Sequence, residues 1–239
     1  MAAYNEAERI AATLAALSRA FAGADVWVAD DGSHDATAEL ARAGGARVVR
    51  RERVIGKGAA LPLAAREALR EAGERPAAAS APSAAGGPAA VGPPPAAPVF
   101  VLCDGDLAAS AARLAALAEA VRSGRADVAV AAFTRRVGGG VGVAVGFARW
   151  AIARRCGLAT TAPISGQRAL TEHALRDVLP FAHGYGMEMG MTIDAVRAGH
   201  RVVEVEVDLS HRASGLTLAG FAHRGRQLID FVRVYLTRR

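Results

Sequence analysis

A chain of 239 residues with 52% apolar side chains can bury a sizeable core as one large domain or two small ones. Its net charge of +6 suits phosphorylated ligands, an anionic membrane surface or nucleic acid, but the basic residues are scattered and aromatics are only 5%, which argues against nucleic acid. Cys103 and Cys156 belong to no CxxC pair, no signal peptide opens the chain, and no apolar run reaches the roughly 18 residues of a membrane span, so a disulfide framework, a zinc cluster and a spanning helix are disfavoured and a reducing cytoplasm is expected.

The first element is a helix. Asn5 is expected to cap it, Glu6 and Glu8 to sit in its first turn, and Ile10, Leu14 and Leu17 to mark its inner face. No strand is expected before it. Val26-Trp27-Val28-Ala29 reads as a buried strand ending in Asp30-Asp31-Gly32-Ser33, followed by a helix to about Arg42. Arg47 to Arg50 is the next strand, and Gly56-Lys57-Gly58 opens a helix from Ala59 to about Ala72.

From about 73 to 98 alanine, proline, glycine and serine dominate, which predicts a flexible insert rather than a core element. Val99 to Leu102 is a buried strand running into Cys103-Asp104-Gly105-Asp106. A helix over 109–123, a strand over 127–131, a basic loop at Arg135-Arg136 and a helix over 143–156 follow. Ile164 to Leu170 is a short strand with a turn, and Thr171 caps the next helix. Gly184-Tyr185-Gly186-Met187-Glu188 opens a helix to Arg197. Val202 to Val207 is an edge strand, and a helix spans about 218–236. Strands alternating with helices predict a single α/β domain over 1–239, with a mostly parallel, doubly wound sheet.

In an extended segment, side chains at i and i+2 point the same way, so Asp104 and Asp106 can converge on one point. Paired carboxylate oxygens at the carboxyl end of a strand suit a hard divalent cation, although a solvated turn uses the same residue types. Lys57, between two glycines at a helix start, suits phosphate, since close backbone approach, N–H donors and a cation coincide. A surface lysine is the plainer alternative. Asp30 and Asp31 either accept from a base or ribose or simply cap a turn.

Four motifs occur in order: Ala3-Tyr4-Asn5-Glu6, Asp30-Asp31-Gly32-Ser33, Gly56-Lys57-Gly58 and Asp104-Gly105-Asp106. Together they resemble those of family-2 glycosyltransferases with the GT-A fold. Gly184 to Gly190 and His211-Arg212 are similar to glucosyl-3-phosphoglycerate and mannosylglycerate synthases. The resemblance implies that Asp31 or Asp30 contacts the base, that Asp104 contacts the ribose or sugar, and that Asp106 and His211 hold Mg²⁺ or Mn²⁺. Tyr4, Asn5, Glu6 and Lys57 join the donor site. That family normally opens with a strand ending in Pro-x-Tyr-Asn-Glu; here that first strand looks missing.

The chemistry implied is transfer of a sugar from a UDP- or GDP-sugar to an acceptor hydroxyl or phosphate. Glu188 is the candidate base for an inverting route, and Arg168, Arg135 and Arg136 could bind an acidic acceptor. The acceptor is a small phosphorylated molecule or a polyprenyl phosphate. The last helix, rich in both arginine and apolar residues, either packs on the domain or lies on the inner membrane face. A homodimer is compatible with the sequence. The rival readings are a sugar-phosphate nucleotidyltransferase and an inactive nucleotide-sugar-binding protein.

Overall fold

The structure, a computed structural model, describes residues 1–74, 97–133, 143–209 and 218–238. Most of the Ala/Pro-rich insert, Arg135, Arg136 and His211 lie outside the described residues. Strands β1 (Ala2–Ala3), β2 (Trp27–Asp30) and β3 (Arg47–Arg50) pair in parallel, in that order. Strands β4 (Val99–Leu102), β5 (Val128–Phe133), β6 (Arg168–Thr171) and β7 (Val202–Val207) form a second sheet in the order β4-β6-β5-β7. Within it β6 is antiparallel to β4 and β5, while β7 runs parallel to β5 at the edge.

Ala2 joins the two sheets. It pairs with Asp104, its N–H donates to Cys103 O at 2.9 Å, and its carbonyl accepts from Gly105 N–H at 2.8 Å. The expectation of no strand before the first helix is therefore corrected: a first strand exists, reduced to two residues. Strand β2 and the residue after it hold its other side, since Ala29 N–H donates to Met1 O at 2.8 Å and Asp31 N–H to Ala3 O at 3.0 Å. Two alanines carry no strand propensity of their own, so the pairing is imposed entirely by tertiary context.

The expected cap at Asn5 is also corrected. Helix α1 (Ile10–Ala20) starts one turn later, with no acid in its first turn. Asn5 sits at φ +53°, a left-handed conformation that asparagine tolerates. Its side chain accepts from His34 N–H at 2.9 Å, and its own N–H donates to Ser33 Oγ at 3.0 Å. It staples two loops rather than starting a helix.

Helix α2 (Thr37–Ala43) connects β2 to β3, and α3 (Lys57–Glu74) precedes β4. The segment expected as one helix over 109–123 is a 3-10 stretch, Ala108–Leu114, followed by α4 (Ala115–Arg122). Its entry is fixed by Thr13, whose hydroxyl donates to Gly105 O at 2.7 Å and accepts from Ala108 N–H at 2.8 Å. Then come α5 (Val143–Cys156), α6 (Glu172–Asp177), α7 (Met187–Arg197) and α8 (Leu218–Thr237).

The strands alternate faces, as the pleat requires. Val28, Ala129 and Ala131 meet Ile10, Leu14, Leu114 and Leu117 on one side. Ala29, Val128 and Val130 meet Leu61, Leu69, Leu175 and Met191 on the other. Helices thus cover both faces. Phe231 and Val234 bury α8 against Ile152 and Ile193, so α8 packs on the domain, while Ile229, Val232 and Leu236 stay exposed. Among the described residues no helix is long and apolar enough to cross a membrane.

Candidate active site

The carboxyl end of β4 lies where the two sheets join, the position at which open α/β sheets bind ligands. Asp104 follows the buried Cys103 there. Lys57, the first residue of α3, places Nζ 2.6 Å from Asp104 Oδ1 and 3.2 Å from Glu188 Oε1. Gln167, just ahead of β6, donates its Nε2–H to Asp104 Oδ2 at 2.7 Å. Side chains from α3, the β4 turn, the β6 approach and α7 thus meet at one point.

Two glycines make that convergence possible. A Cβ at Gly166 would collide with Lys57 Nζ and lie 3.3 Å from Glu188 Oε1 and 3.4 Å from Asp104 Oδ2. A Cβ at Gly58 would come within 2.5 Å of Ala182 O, blocking the seat of α3 against the loop before α7.

One cation faces two carboxylates. Burial disfavours the charge on Lys57, but Asp104 and Glu188 outweigh it and hold the ammonium well above the usual lysine range. Burial likewise opposes ionisation of Asp104. The charge and hydrogen bond of Lys57, with the Gln167 bond, override it and hold the carboxyl below the usual carboxylate range. The cluster is therefore fixed as an ionised lysine–aspartate pair. Asp106 stands two residues further on, half-buried, with its carbonyl accepting from Arg9 Nη1–H at 3.4 Å.

Other sequence-predicted residues fall differently. Asp30 is sealed from solvent. Its Oδ1 accepts from Ser33 N–H at 3.0 Å and from Ser33 Oγ–H at 2.5 Å, and Arg50 Nε lies 3.4 Å from Oδ2. It closes its own turn from a fully buried position, against the expectation that it lies open to a base. Asp31 accepts Ile55 N–H at 3.0 Å and Gly56 N–H at 2.7 Å, so it holds the loop that delivers Lys57. Tyr4 is exposed, and the N–H groups of Asn5 and Glu6 bond Ser33 Oγ and Thr37 Oγ1, tying the start of the chain to the Asp30 loop.

Arg168 is the largest correction. It is 1% exposed and cannot bind an acceptor. It donates to Ser165 O, Thr192 Oγ1 and Glu188 O, each at 2.9 Å, and so anchors the first turn of α7 behind the site.

Gln167 and Gly166 are site residues that sequence reasoning passed over. Glu204 on β7 is a third, acting from behind: it accepts from Thr160 Oγ1–H, from Thr161 N–H at 2.9 Å, from Thr161 Oγ1–H at 2.6 Å and from Ala162 N–H at 2.9 Å. This fixes the loop leading to Ser165-Gly166-Gln167. Burial opposes its charge, but these hydrogen bonds win and hold its carboxyl below the usual glutamate range. A carboxyl with a lowered folded pKa stabilises above its unfolded pKa and loses that contribution as pH falls through the folded value. Glu204→Gln is therefore expected to cost about 1–2 kcal/mol at pH 7, with the gap to the parent closing as thermal melts are taken below pH 4.5. A gap independent of pH would remove the carboxylate from this role.

Residues 1–72 match the family described as glycosyl transferase family 2, a span holding Tyr4, Asp30, Asp31 and Lys57. No curated protein matches the chain. Among solved structures it is similar to glucosyl-3-phosphoglycerate synthase from Mycobacterium tuberculosis. The complex of that enzyme with Mn²⁺, UDP and phosphoglyceric acid is 25% identical with a TM-score of 0.71, covering 99% of this chain and 76% of that one. Another structure of the same enzyme is 25% identical at a TM-score of 0.69, covering 99% and 78%. Its complex with Mn²⁺, UDP-glucose and phosphoglyceric acid, 24% identical, shares the fold at 0.69 over 99% of this chain and 77% of that one. With a family-2 glycosyl transferase match over its first 72 residues and this fold across nearly its whole length, the chain is similar to glucosyl-3-phosphoglycerate synthase and shares its GT-A fold.

Proposed function

We propose that this enzyme transfers glucose from a UDP-sugar to a hydroxyl of a small phosphorylated acid such as phosphoglyceric acid, with Mn²⁺ or Mg²⁺ bound. The observation that carries the proposal is the meeting of Asp104, Lys57 and Glu188, next to Asp106, at the carboxyl end of β4. The donor set fits a hard divalent cation, since carboxylate oxygens are what such ions take. Asp106 would hold the metal, joined by His211, which lies outside the described residues. The bound metal supplies charge stabilisation for the departing diphosphate.

The chain's own residues do the rest. Lys57 adds fixed positive charge beside that diphosphate and keeps Asp104 ionised. Gln167 and Lys57 together set the direction of the Asp104 carboxylate, which accepts from a donor hydroxyl. Glu188, with its side chain 12% exposed, faces the same point and holds the acceptor hydroxyl. In an inverting transfer Glu188 takes its proton; a retaining transfer needs no such base.

The test is turnover with UDP- and GDP-sugars against phosphoglyceric acid, glycerol 3-phosphate and polyprenyl phosphate, with product read by mass spectrometry. UDP-glucose with phosphoglyceric acid and Mn²⁺ is expected to give product, and chelation to stop it. Asp106→Ala is expected to raise the Mn²⁺ needed for half-maximal rate at least about tenfold. Product formed only on polyprenyl phosphate, or at full rate without metal, would refute the assignment.

A further inference from the structure

A second group of potential ligands lies at the opposite end of the sheet. Strand β6 runs antiparallel to β4, pairing Arg168 with Leu102 at the site end and Thr171 with Val99 at the other. Helix α6 begins just after Thr171, and His200 immediately precedes Arg201 and the start of β7 at the same end. The length of a four-residue strand, about 10 Å, separates this end from the Asp104 turn.

His173 and Asp177 are one helical turn apart on α6, so they share a face. His200 Nε2 is 2.8 Å from Asp177 Oδ2, and His173 Nε2 is 3.5 Å from the same oxygen. The two imidazole rings meet edge to face with centroids 5.2 Å apart. One ligand atom from each of the three residues lies within 4.8 Å of the others. Ligands about 2.0–2.1 Å from a tetrahedral ion are about 3.3 Å apart, so the observed 2.8 and 3.5 Å bracket that spacing.

The surroundings favour coordination over a simple ion pair. The neighbouring arginines are committed elsewhere: Arg176 donates to Glu172 at 3.0 and 2.6 Å, and Arg201 to Asp127 at 3.0 Å. His200 is held in place, its side chain 7% exposed and its backbone N–H bonded to Ala195 O at 3.0 Å. His173 is 80% exposed, which leaves an outward position open for water. Two imidazoles and a carboxylate suit zinc-class transition metals better than Mg²⁺.

We propose that His173, Asp177 and His200 form a binding site for a zinc-class divalent metal, tying α6 to the loop that leads into β7. The site stands apart from the sugar-nucleotide centre and from its metal. Such a tie joins the far ends of β6 and β7 through three side chains and stabilises the native state by mass action.

Untagged full-length protein, with Mg²⁺ in excess, is titrated with Co²⁺ and with Zn²⁺. The expected result is a visible Co²⁺ absorption band of a low-coordinate site, a melting temperature raised by several degrees with Zn²⁺, and at least about tenfold weaker binding in His173→Ala. His200→Gln, which keeps a hydrogen-bonding group against Asp177, is expected to lose the band while still melting cooperatively. Asp106→Ala retains the band. A band and a Zn²⁺ shift that survive in the His173→Ala/His200→Gln double variant, or no Co²⁺ band and no Zn²⁺ shift in the parent, would overturn the site.

Discussion

Replacing Arg168 with methionine is expected to lower the melting temperature by roughly 5–15 °C, the equivalent of about 2–4 kcal/mol at 2–4 °C per kcal/mol. Methionine matches much of the arginine stem, so packing is largely kept and the change isolates the guanidinium. Three acceptors then lose their donor: Ser165 O, Glu188 O and Thr192 Oγ1. An unsatisfied buried acceptor costs about 1–3 kcal/mol. Part of this is offset because Glu188 O still accepts from the Thr192 hydroxyl at 3.0 Å. A further offset comes from removing a cation that burial disfavours strongly enough to bring its pKa down to about 10. Lysine is not expected to rescue, because a single ammonium cannot reproduce the planar fork that reaches three acceptors. The same loss frees the first turn of α7, which carries Glu188, so kcat should fall beyond what unfolding explains. Thermal melts and turnover at a temperature where the variant is fully folded check both parts; a variant melting with the parent would show that these bonds contribute nothing net.

Arg168 also marks the limit of sequence reading here. Its residue type and its place just after a turn suggest an anion ligand. Whether an arginine points out or in depends on acceptors that tertiary structure supplies, and two of its three come from α7, far along the chain. The pairing of Lys57 with Glu188 was hidden for the same reason, although each residue was legible separately as the opening of a glycine-rich helix start. Asp104 and Asp106 were legible because a continuous apolar strand leads straight into them, and strand geometry is local. Asp30 shows the converse. The acid-glycine-serine pattern was visible, but the serine satisfies the nearer carboxylate internally, so the pattern serves the turn. The two-alanine strand β1 left no apolar run to detect, and only its neighbours' edges reveal it.

Those edges support the second large effect. A cleft of about 280 Å³ continues the line of β1 between β2 and β4, lined by Met1, Val26, Trp27, Val99, Phe100 and Val101 among others. The register is already set on both sides: Ala2 pairs with Ala29 and with Asp104. Residues placed before Met1 in that register would meet Trp27 and Val26 on one side and Leu102 and Val101 on the other. Extending the chain by three or four β-branched residues is therefore expected to raise the melting temperature by roughly 5–10 °C. Each fully buried Val or Ile side chain contributes about 1.5–3 kcal/mol, against about 1.5 kcal/mol to order a residue. The extension also replaces the Met1 ammonium, which donates to Trp27 O at 2.7 Å, with an amide. Burial pushes that ammonium below its usual range, and an amide makes the same bond without a charge to desolvate. A Gly-Ser-Gly extension is the control, since it supplies the amide and the backbone donors but no apolar side chains. It should recover only a small part of the gain. Equal stabilisation by both extensions would mean that the cleft walls contribute nothing, and no change with either would mean that the edges of β2 and β4 do not accept a strand between them.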